Sequence, residues 1–162
     1  MPSPSLLGTG CALPEHYADQ ESLLAAFRDL WGEKHFNVDR LELLHRAVRV
    51  GGRHLALPLA EYPALKSFAA RNLAWTREAV TVGEKALRAA LDKAGLRPGE
   101  LDQIVFVTVT GIATPSIDAR LVDRVGLRPD IKRVPIFGLG CVAGAAGLAR
   151  AADLVRGYPE GT

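Results

Sequence analysis

The sequence is short of the features that mark several common classes of protein. Its two cysteines, Cys11 and Cys141, lie far apart and show none of the close spacing of a metal site or a disulfide framework. Free thiols of this kind are typical of a reducing compartment. We therefore expect a cytoplasmic protein with no bound metal and no structural disulfide.

Long apolar runs and concentrated charge are also missing. No run approaches the ~20 apolar residues of a membrane span, and the first residues, MPSPSLLGTGCALPEHY, lack the basic and apolar regions of a signal peptide. The net charge is +2, and the 20 basic and 18 acidic side chains are dispersed along the chain. These absences argue against membrane and nucleic-acid partners and favour one globular domain.

The second half of the chain contains an alternation of apolar strands and amphipathic helices. The segments 104–109 and 131–137 predict strands, and a helix capped by Thr114 or Ser116 lies between them. A further helix is expected over 143–156. This order predicts βαβ units, which give an α/β fold with a mixed, largely parallel sheet and helices on both faces.

The first half of the chain is less regular. Its predicted elements are a short strand over 6–13, helices over about 19–30, from 39 to 48 and over 75–94, and a loop with one extended piece over 50–62. Asp19 is expected to cap the first helix, and Gly95 to end the third. Leu41, Leu44 and Val48 are expected to face inward from the second.

The segment IFGLGCVAGAAGL, residues 136–148, places Cys141 between a predicted strand and a predicted helix. Such a junction lies past the carboxyl end of a parallel strand, where α/β proteins tend to hold their ligands. The unpaired N–H groups and the positive dipole end of the helix start favour a thiolate, and could also receive the oxyanion of an attacked thioester. Gly138 and Gly140 permit the sharp turn.

Other interpretations of the cysteines remain open at this point. Cys141 could instead be a small buried hydrophobe, as free cysteines often are. For Cys11, within an apolar segment and without an activating neighbour, that is the interpretation we favour. A hydrolase elbow is excluded, because the positions that would need glycine are Leu139 and Ala143.

The helix after Cys141 is built almost entirely from glycine and alanine. Two of its glycines, Gly144 and Gly147, would each cost about 0.5–1 kcal/mol relative to alanine in a helix interior, so they need a packing reason. We expect this helix to be buried, with other backbones close on several sides.

Two longer segments resemble a known family. RVPIFGLGCVAGAAGLARAADLVR, residues 133–156, and VTVTGIATPSIDARLVDRVGLRPDIK, residues 107–132, are similar to the amino-terminal half of a type III polyketide synthase. This is the chalcone and stilbene synthase group of the thiolase superfamily, here in a bacterial form. The run Gly111, Pro115, Asp118 favours this branch over other thiolase-like condensing enzymes.

The resemblance implies roles for particular residues. Cys141 matches the catalytic cysteine that takes a starter acyl group from coenzyme A, and malonyl-CoA then extends it. Substrate-cavity positions are matched by Val109, Thr110 and Thr114. Thr114 corresponds to a residue, methionine in plant members, that reaches into the neighbouring subunit of a homodimer. CoA-phosphate contacts are loosely matched by Arg46, Arg49 and Arg53, for which a solvated surface is an equal alternative.

The same resemblance implies that catalytic residues are missing from this chain. Family members carry a catalytic histidine and asparagine in their carboxyl half, and none of His16, His35, His45 and His54 matches that histidine. We therefore expect residues 1–162 to be an N-terminal domain without its C-terminal half. Such a domain needs no cofactor beyond its CoA thioester substrates, and alone it should not condense them.

Two alternatives stay open. One is another thiolase-fold ketoacyl synthase, such as one that takes malonyl groups from acyl carrier protein. The other is a non-catalytic thiolase-like subunit, against which an intact cysteine in an intact turn argues.

Overall fold

A computed structural model of the chain describes residues 4–33 and 37–158. Its α-helices are α1 (Gln20–Trp31), α2 (Val38–Ala47), α3 (Phe68–Ala94), α4 (Ile117–Val125) and α5 (Ala143–Gly157). Its strands are β1 (His16–Asp19), β2 (Gly52–Leu55), β3 (Gln103–Thr108) and β4 (Lys132–Phe137). Short 3-10 helices cover Leu59–Ala64, Pro98–Glu100 and Gly140–Val142. His35 lies outside the described residues.

The chain divides into two compact units. Leu13–Ala74 forms one, which we call the inserted unit, and Met1–Ala12 together with Trp75–Thr162 forms the other, which we call the cysteine unit. Helix α3 begins in the inserted unit and continues into the cysteine unit.

The cysteine unit is built on a βαβ motif, as the sequence predicts. Strands β3 and β4 pair in parallel, from Gln103 opposite Lys132 to Thr108 opposite Phe137, and α4 connects them. Side chains alternate along β3, so that Phe106 packs against the core formed by α3 and α4, while Val107 lies against α5. Helices therefore cover both faces of the parallel pair.

The core of the cysteine unit lies between α3, α4 and one face of β3. Its buried members are Val80, Leu91, Ile117, Leu121, Val125, Leu127 and Ile131. Helix α3 supplies the apolar stripe expected of it and ends at Gly95, whose φ of +69° is the left-handed conformation typical of a helix C-terminus. Its start at Phe68 is earlier than the sequence predicts, because Ser67 caps it: Ala70 N–H donates to Ser67 Oγ at 3.1 Å.

The predicted strand over residues 6–13 is wrong, since no strand is present there in the described chain. The segment lies instead against α3. An added Cβ at Gly10 would clash with the carbonyl oxygen of Ala86, and one at Gly8 would lie 2.6 Å from the carbonyl oxygen of Ala90. The two glycines thus let the chain pack directly on the backbone of α3. Cys11 is exposed, so its predicted burial is also wrong.

The inserted unit combines an antiparallel pair with two helices. Strands β1 and β2 pair from His16 opposite Leu55 to Asp19 opposite Gly52. Asp19 caps α1 as predicted, since its Oδ1 accepts a hydrogen bond from Ser22 N–H at 2.7 Å. The expected loop over 50–62 contains β2 as its extended piece.

Of the three residues of α2 that are predicted to face inward, Leu41 is half-buried, whereas the orientation predicted for Leu44 and Val48 is wrong. Their exposed fractions are 55% and 58%. The charged face of α2 turns toward α1 instead, where Arg28 pairs with Glu42 and Arg46 pairs with Glu21.

In the described ranges, no helix combines the length and apolarity needed to cross a bilayer.

Candidate active site

Cys141 lies where the chain passes from β4 into α5. Strand β4 ends at Phe137, and Cys141 is the middle residue of the 3-10 turn Gly140–Val142 that precedes the helix. The thiol is free and exposed. The predicted strand–turn–helix placement at the carboxyl edge of a parallel pair is therefore present, and burial of Cys141 as a small hydrophobe is not.

Two glycines shape this turn. Gly138 has a φ of +92° and Gly140 a φ of +59°, conformations that L side chains rarely adopt. Gly138 N–H donates to the carbonyl oxygen of Thr108 at 3.1 Å, which ties the turn to the end of β3. Nothing lies within 4 Å of an added Cβ at either position, so the backbone torsions, rather than crowding, favour glycine there.

The start of α5 offers groups suited to negative charge. Val142, whose side chain cannot accept a hydrogen bond, occupies the N-cap position of this 15-residue helix. Its first N–H groups and its dipole therefore point toward the turn that holds Cys141. A thiolate or an oxyanion is the kind of group that such an end stabilises.

Helix α5, rich in glycine and alanine, is covered by other parts of the chain on one side only. The sequence predicts that it is covered on several sides. In α5 only Ala143 and Gly147 are buried, whereas Leu148 is 68% exposed. The covered side shows why small residues are needed, because an added Cβ at Gly147 would lie 3.0 Å from Val107 Cγ1. The remaining small-residue surface is open in this chain.

The predicted cavity residues lie at the same carboxyl edge of the parallel pair. Val109 and Thr110 directly follow β3 and are exposed. Thr114 lines a cavity of about 430 Å³, together with Thr108 and Phe137. Val109, Thr110 and Cys141 do not line it. The fold thus brings the four predicted residues to one edge without joining them in one cavity.

An ion pair beside this cavity was not identified as a site feature from the sequence. Asp118 is fully buried, and its Oδ2 lies 3.1 Å from Nη1 of Arg133, which lines the cavity. The other oxygen, Oδ1, has no hydrogen-bond partner in the described part of the chain. The only sequence signal was the position of Asp118 in a run shared with the family.

The three predicted CoA-binding arginines are in different situations. Arg46 donates to both carboxylate oxygens of Glu21, at 3.2 and 2.9 Å, and these hydrogen bonds lower the pKa of Glu21. Arg49 is exposed and has a φ of +54°. Arg53 lines a cavity of the inserted unit. The ion pair of Arg46 with Glu21 is exposed on both sides, at 57% and 68%, so a phosphate could still replace the carboxylate.

The described histidines have contacts of their own in the inserted unit. His54 Nδ1 lies 2.7 Å from the carbonyl oxygen of Pro14, and the His45 ring packs against Phe27. His16 opens β1. Within the described ranges, no group of three or more His, Cys, Asp or Glu side chains is arranged to hold a metal ion.

Comparison with known proteins identifies what this arrangement resembles. A family model described as chalcone and stilbene synthases, N-terminal domain, matches residues 3–160. A 1,3,6,8-tetrahydroxynaphthalene synthase of Streptomyces peucetius is 44% identical over 98% of this chain and 42% of its own length. A phloroglucinol synthase of Pseudomonas fluorescens is 32% identical over 88% of this chain and 41% of its own.

A solved structure agrees with the sequence relatives. The 1,3,6,8-tetrahydroxynaphthalene synthase of Streptomyces coelicolor, a bacterial type III polyketide synthase, superimposes with a TM-score of 0.89 at 30% identity. The match covers 98% of this chain and 45% of that one. The chain thus spans less than half the length of the proteins it matches, and it has the thiolase-like fold of their amino-terminal half.

Proposed function

Because the chain belongs to the chalcone and stilbene synthase family, we propose that it is the nucleophile-bearing part of a type III polyketide synthase. The observation that carries this proposal is the exposed thiol of Cys141 at the start of α5, on the carboxyl edge of the parallel pair. The similarity to type III polyketide synthases supports the proposed reaction class, an acyl transfer followed by carbon–carbon bond formation.

The first step is loading of a starter acyl group. The thiolate of Cys141 attacks the carbonyl carbon of an acyl-CoA, and the carbonyl oxygen becomes an oxyanion near the N–H groups at the start of α5. The bond between that carbon and the CoA sulfur then breaks. Coenzyme A leaves as a thiolate that takes up a proton, and the acyl group remains as a thioester on Cys141.

The second step is extension by malonyl-CoA. Its carboxylate leaves as CO2, and the electron pair of the broken bond forms an enolate. The enolate carbon attacks the thioester carbonyl on Cys141, the new carbon–carbon bond forms, and the cysteine leaves as a thiolate ready for another cycle. A base and an enolate stabiliser are needed, and we assign them to the histidine and asparagine of the family's carboxyl half.

Substrate positions follow from the same arrangement. We assign Val109, Thr110 and Thr114 to the substrate cavity, since all three lie at the edge that carries Cys141. We also propose that the protein forms a homodimer, in which Thr114 of one subunit completes the substrate cavity of the other. We also assign Arg46, Arg49 and Arg53 to the CoA phosphates, because they lie in the segment where the family has basic residues. Arg46 would then exchange its exposed partner Glu21 for a phosphate.

The test is product formation from CoA thioesters. The natural gene product that contains this chain should release CO2 and form polyketide from malonyl-CoA, as followed with ¹⁴C-malonyl-CoA and liquid chromatography. The 162-residue chain alone should form none, because it lacks the enolate-stabilising pair. Polyketide formation by the chain alone would overturn that division of roles. Activity only with malonyl groups on acyl carrier protein would favour a different ketoacyl synthase.

A further inference from the structure

The inserted unit contains a cavity that the proposed chemistry does not use. Its volume is about 550 Å³, within the range of small-molecule sites. Its walls come from α1, β2 and the 3-10 helix Leu59–Ala64, with His45 of α2 and Arg71 of α3. Neither Cys141 nor any predicted substrate-cavity residue lines it.

Most of the wall is apolar. Leucines and the aromatic rings of Phe27, Trp31 and Tyr62 form its larger part. Phe27 and Trp31 pack together with ring centroids 5.1 Å apart, and Trp31 remains 52% exposed. A surface of this kind favours an aliphatic or aromatic group of a ligand, because its burial removes apolar area from water on both sides.

The charged residues of the wall have one sign. Among residues 4–33 and 37–158, Arg53 and Arg71 line the cavity and no aspartate or glutamate does. Arg71 donates a hydrogen bond to the carbonyl oxygen of Leu65 at 3.3 Å, and a guanidinium has five N–H donors in all. A guanidinium beside an apolar wall matches a carboxylate, which it can bind through two parallel hydrogen bonds.

We propose that this cavity binds an aliphatic carboxylate of medium chain length. The chain lies among Phe27, Trp31 and the leucines, and the carboxylate contacts Arg53. The class of ligand follows from the apolar wall and its unopposed positive charge together. This inference goes beyond the proposed function, and binding there would occupy Arg53 independently of any CoA contact.

The experiment is calorimetric titration of the 162-residue chain with hexanoate, octanoate and decanoate, in the absence of coenzyme A. Each added methylene should tighten binding by up to about fourfold, the value for full burial of a CH2 group. Arg53→Gln should weaken decanoate binding by about tenfold or more. Ala26→Phe, which fills the cavity from α1, should abolish it. Circular dichroism checks that each variant is folded.

Two matched controls separate this site from non-specific binding. Arg40→Gln removes an exposed arginine of the same unit that does not line the cavity, and Leu148→Ser removes exposed apolar surface of the cysteine unit. Neither should change decanoate binding. Decanol should bind at least about tenfold more weakly than decanoate.

Three results would overturn the proposal. The first is decanoate binding that Ala26→Phe leaves unchanged, and the second is loss of binding in Leu148→Ser. The third is binding of coenzyme A alone, dependent on Arg53, with no binding of decanoate. None of these outcomes depends on condensing activity, so failure here is distinguishable from failure of the proposed function.

Discussion

Replacement of Cys141 by alanine should lower polyketide formation by the natural gene product by about 10⁴-fold or more. The nucleophile is the one group to which the growing chain is bonded, and removing such a group costs nearly all the covalent catalysis of an enzyme. The substitution removes one exposed sulfur from a turn whose shape depends on Gly138 and Gly140, so folding should be unaffected. The measurement is the rate of product formation from malonyl-CoA under saturating substrate.

Cys11 provides the matched control. It is also free and exposed, and it lies in the cysteine unit. Cys11→Ala should leave the rate within about twofold of the unsubstituted protein, since it removes no group that touches substrate. Comparable losses in both variants would mean that thiol loss acts through stability rather than through the bond to substrate.

The second large effect concerns stability. Arg133→Leu should lower the free energy of unfolding of the 162-residue chain by about 2–3 kcal/mol, the upper part of the usual cost of leaving a buried polar group without its partner; the Arg133 side chain is itself 40% exposed, so the full cost of breaking a buried ion pair does not apply. Asp118 is completely buried, and its Oδ2 is held 3.1 Å from Arg133. Without the guanidinium, the carboxylate would be left in the protein interior with no opposing charge. Urea denaturation measures the difference.

A double-mutant cycle gives the sharper test of this pair. In an Asp118→Asn background, Arg133→Leu should cost less than about 1 kcal/mol, because no buried charge remains to be left unpaired. Arg156→Leu is the control, because Arg156 is an exposed arginine. Its ion pair with Asp153 should contribute no more than about 1 kcal/mol to the free energy of unfolding. Equal effects of Arg133→Leu in both backgrounds would contradict the role given to Asp118.

Short-range signals predicted much of the fold. The period of apolar residues placed β3, β4 and α5 within one residue of their observed bounds, and Asp19 caps α1 as expected. Ser116, one of the two predicted caps, occupies the N-cap position of α4. Each of these depends on neighbours along the chain. Parallel pairing of β3 with β4 followed from the connection through a helix, which forbids a tight hairpin.

What the sequence did not predict depends on contacts between distant residues. The apolar segment 6–13 has the composition of a strand, but Gly8 and Gly10 place it on the backbone of α3. The positions of Leu44 and Val48 in the sequence fit the buried face of a helix, but both side chains are exposed. The face of α2 that meets α1 carries the ion-paired residues Glu42 and Arg46. In both cases the local pattern was compatible with two arrangements, and packing chose between them.

The candidate site likewise has features that could be predicted from neighbouring residues and features that could not. The placement of Cys141 at a strand–turn–helix junction could be predicted, because the two glycines and the start of α5 are adjacent in sequence. The pairing of Asp118 with Arg133 could not, since the two residues are brought together only when α4 packs against β4. The cavity of the inserted unit likewise needs residues of five separate elements to form, namely α1, α2, β2, the 3-10 helix Leu59–Ala64 and α3.

The most direct measurement is the intact mass of the natural gene product after incubation with a starter acyl-CoA and no malonyl-CoA. We predict a mass increase of one acyl group, located on Cys141 by peptide mapping, absent from Cys141→Ala and retained in Cys11→Ala. An unmodified protein, or an acyl group on any other residue, would contradict the assignment of Cys141 as the nucleophile.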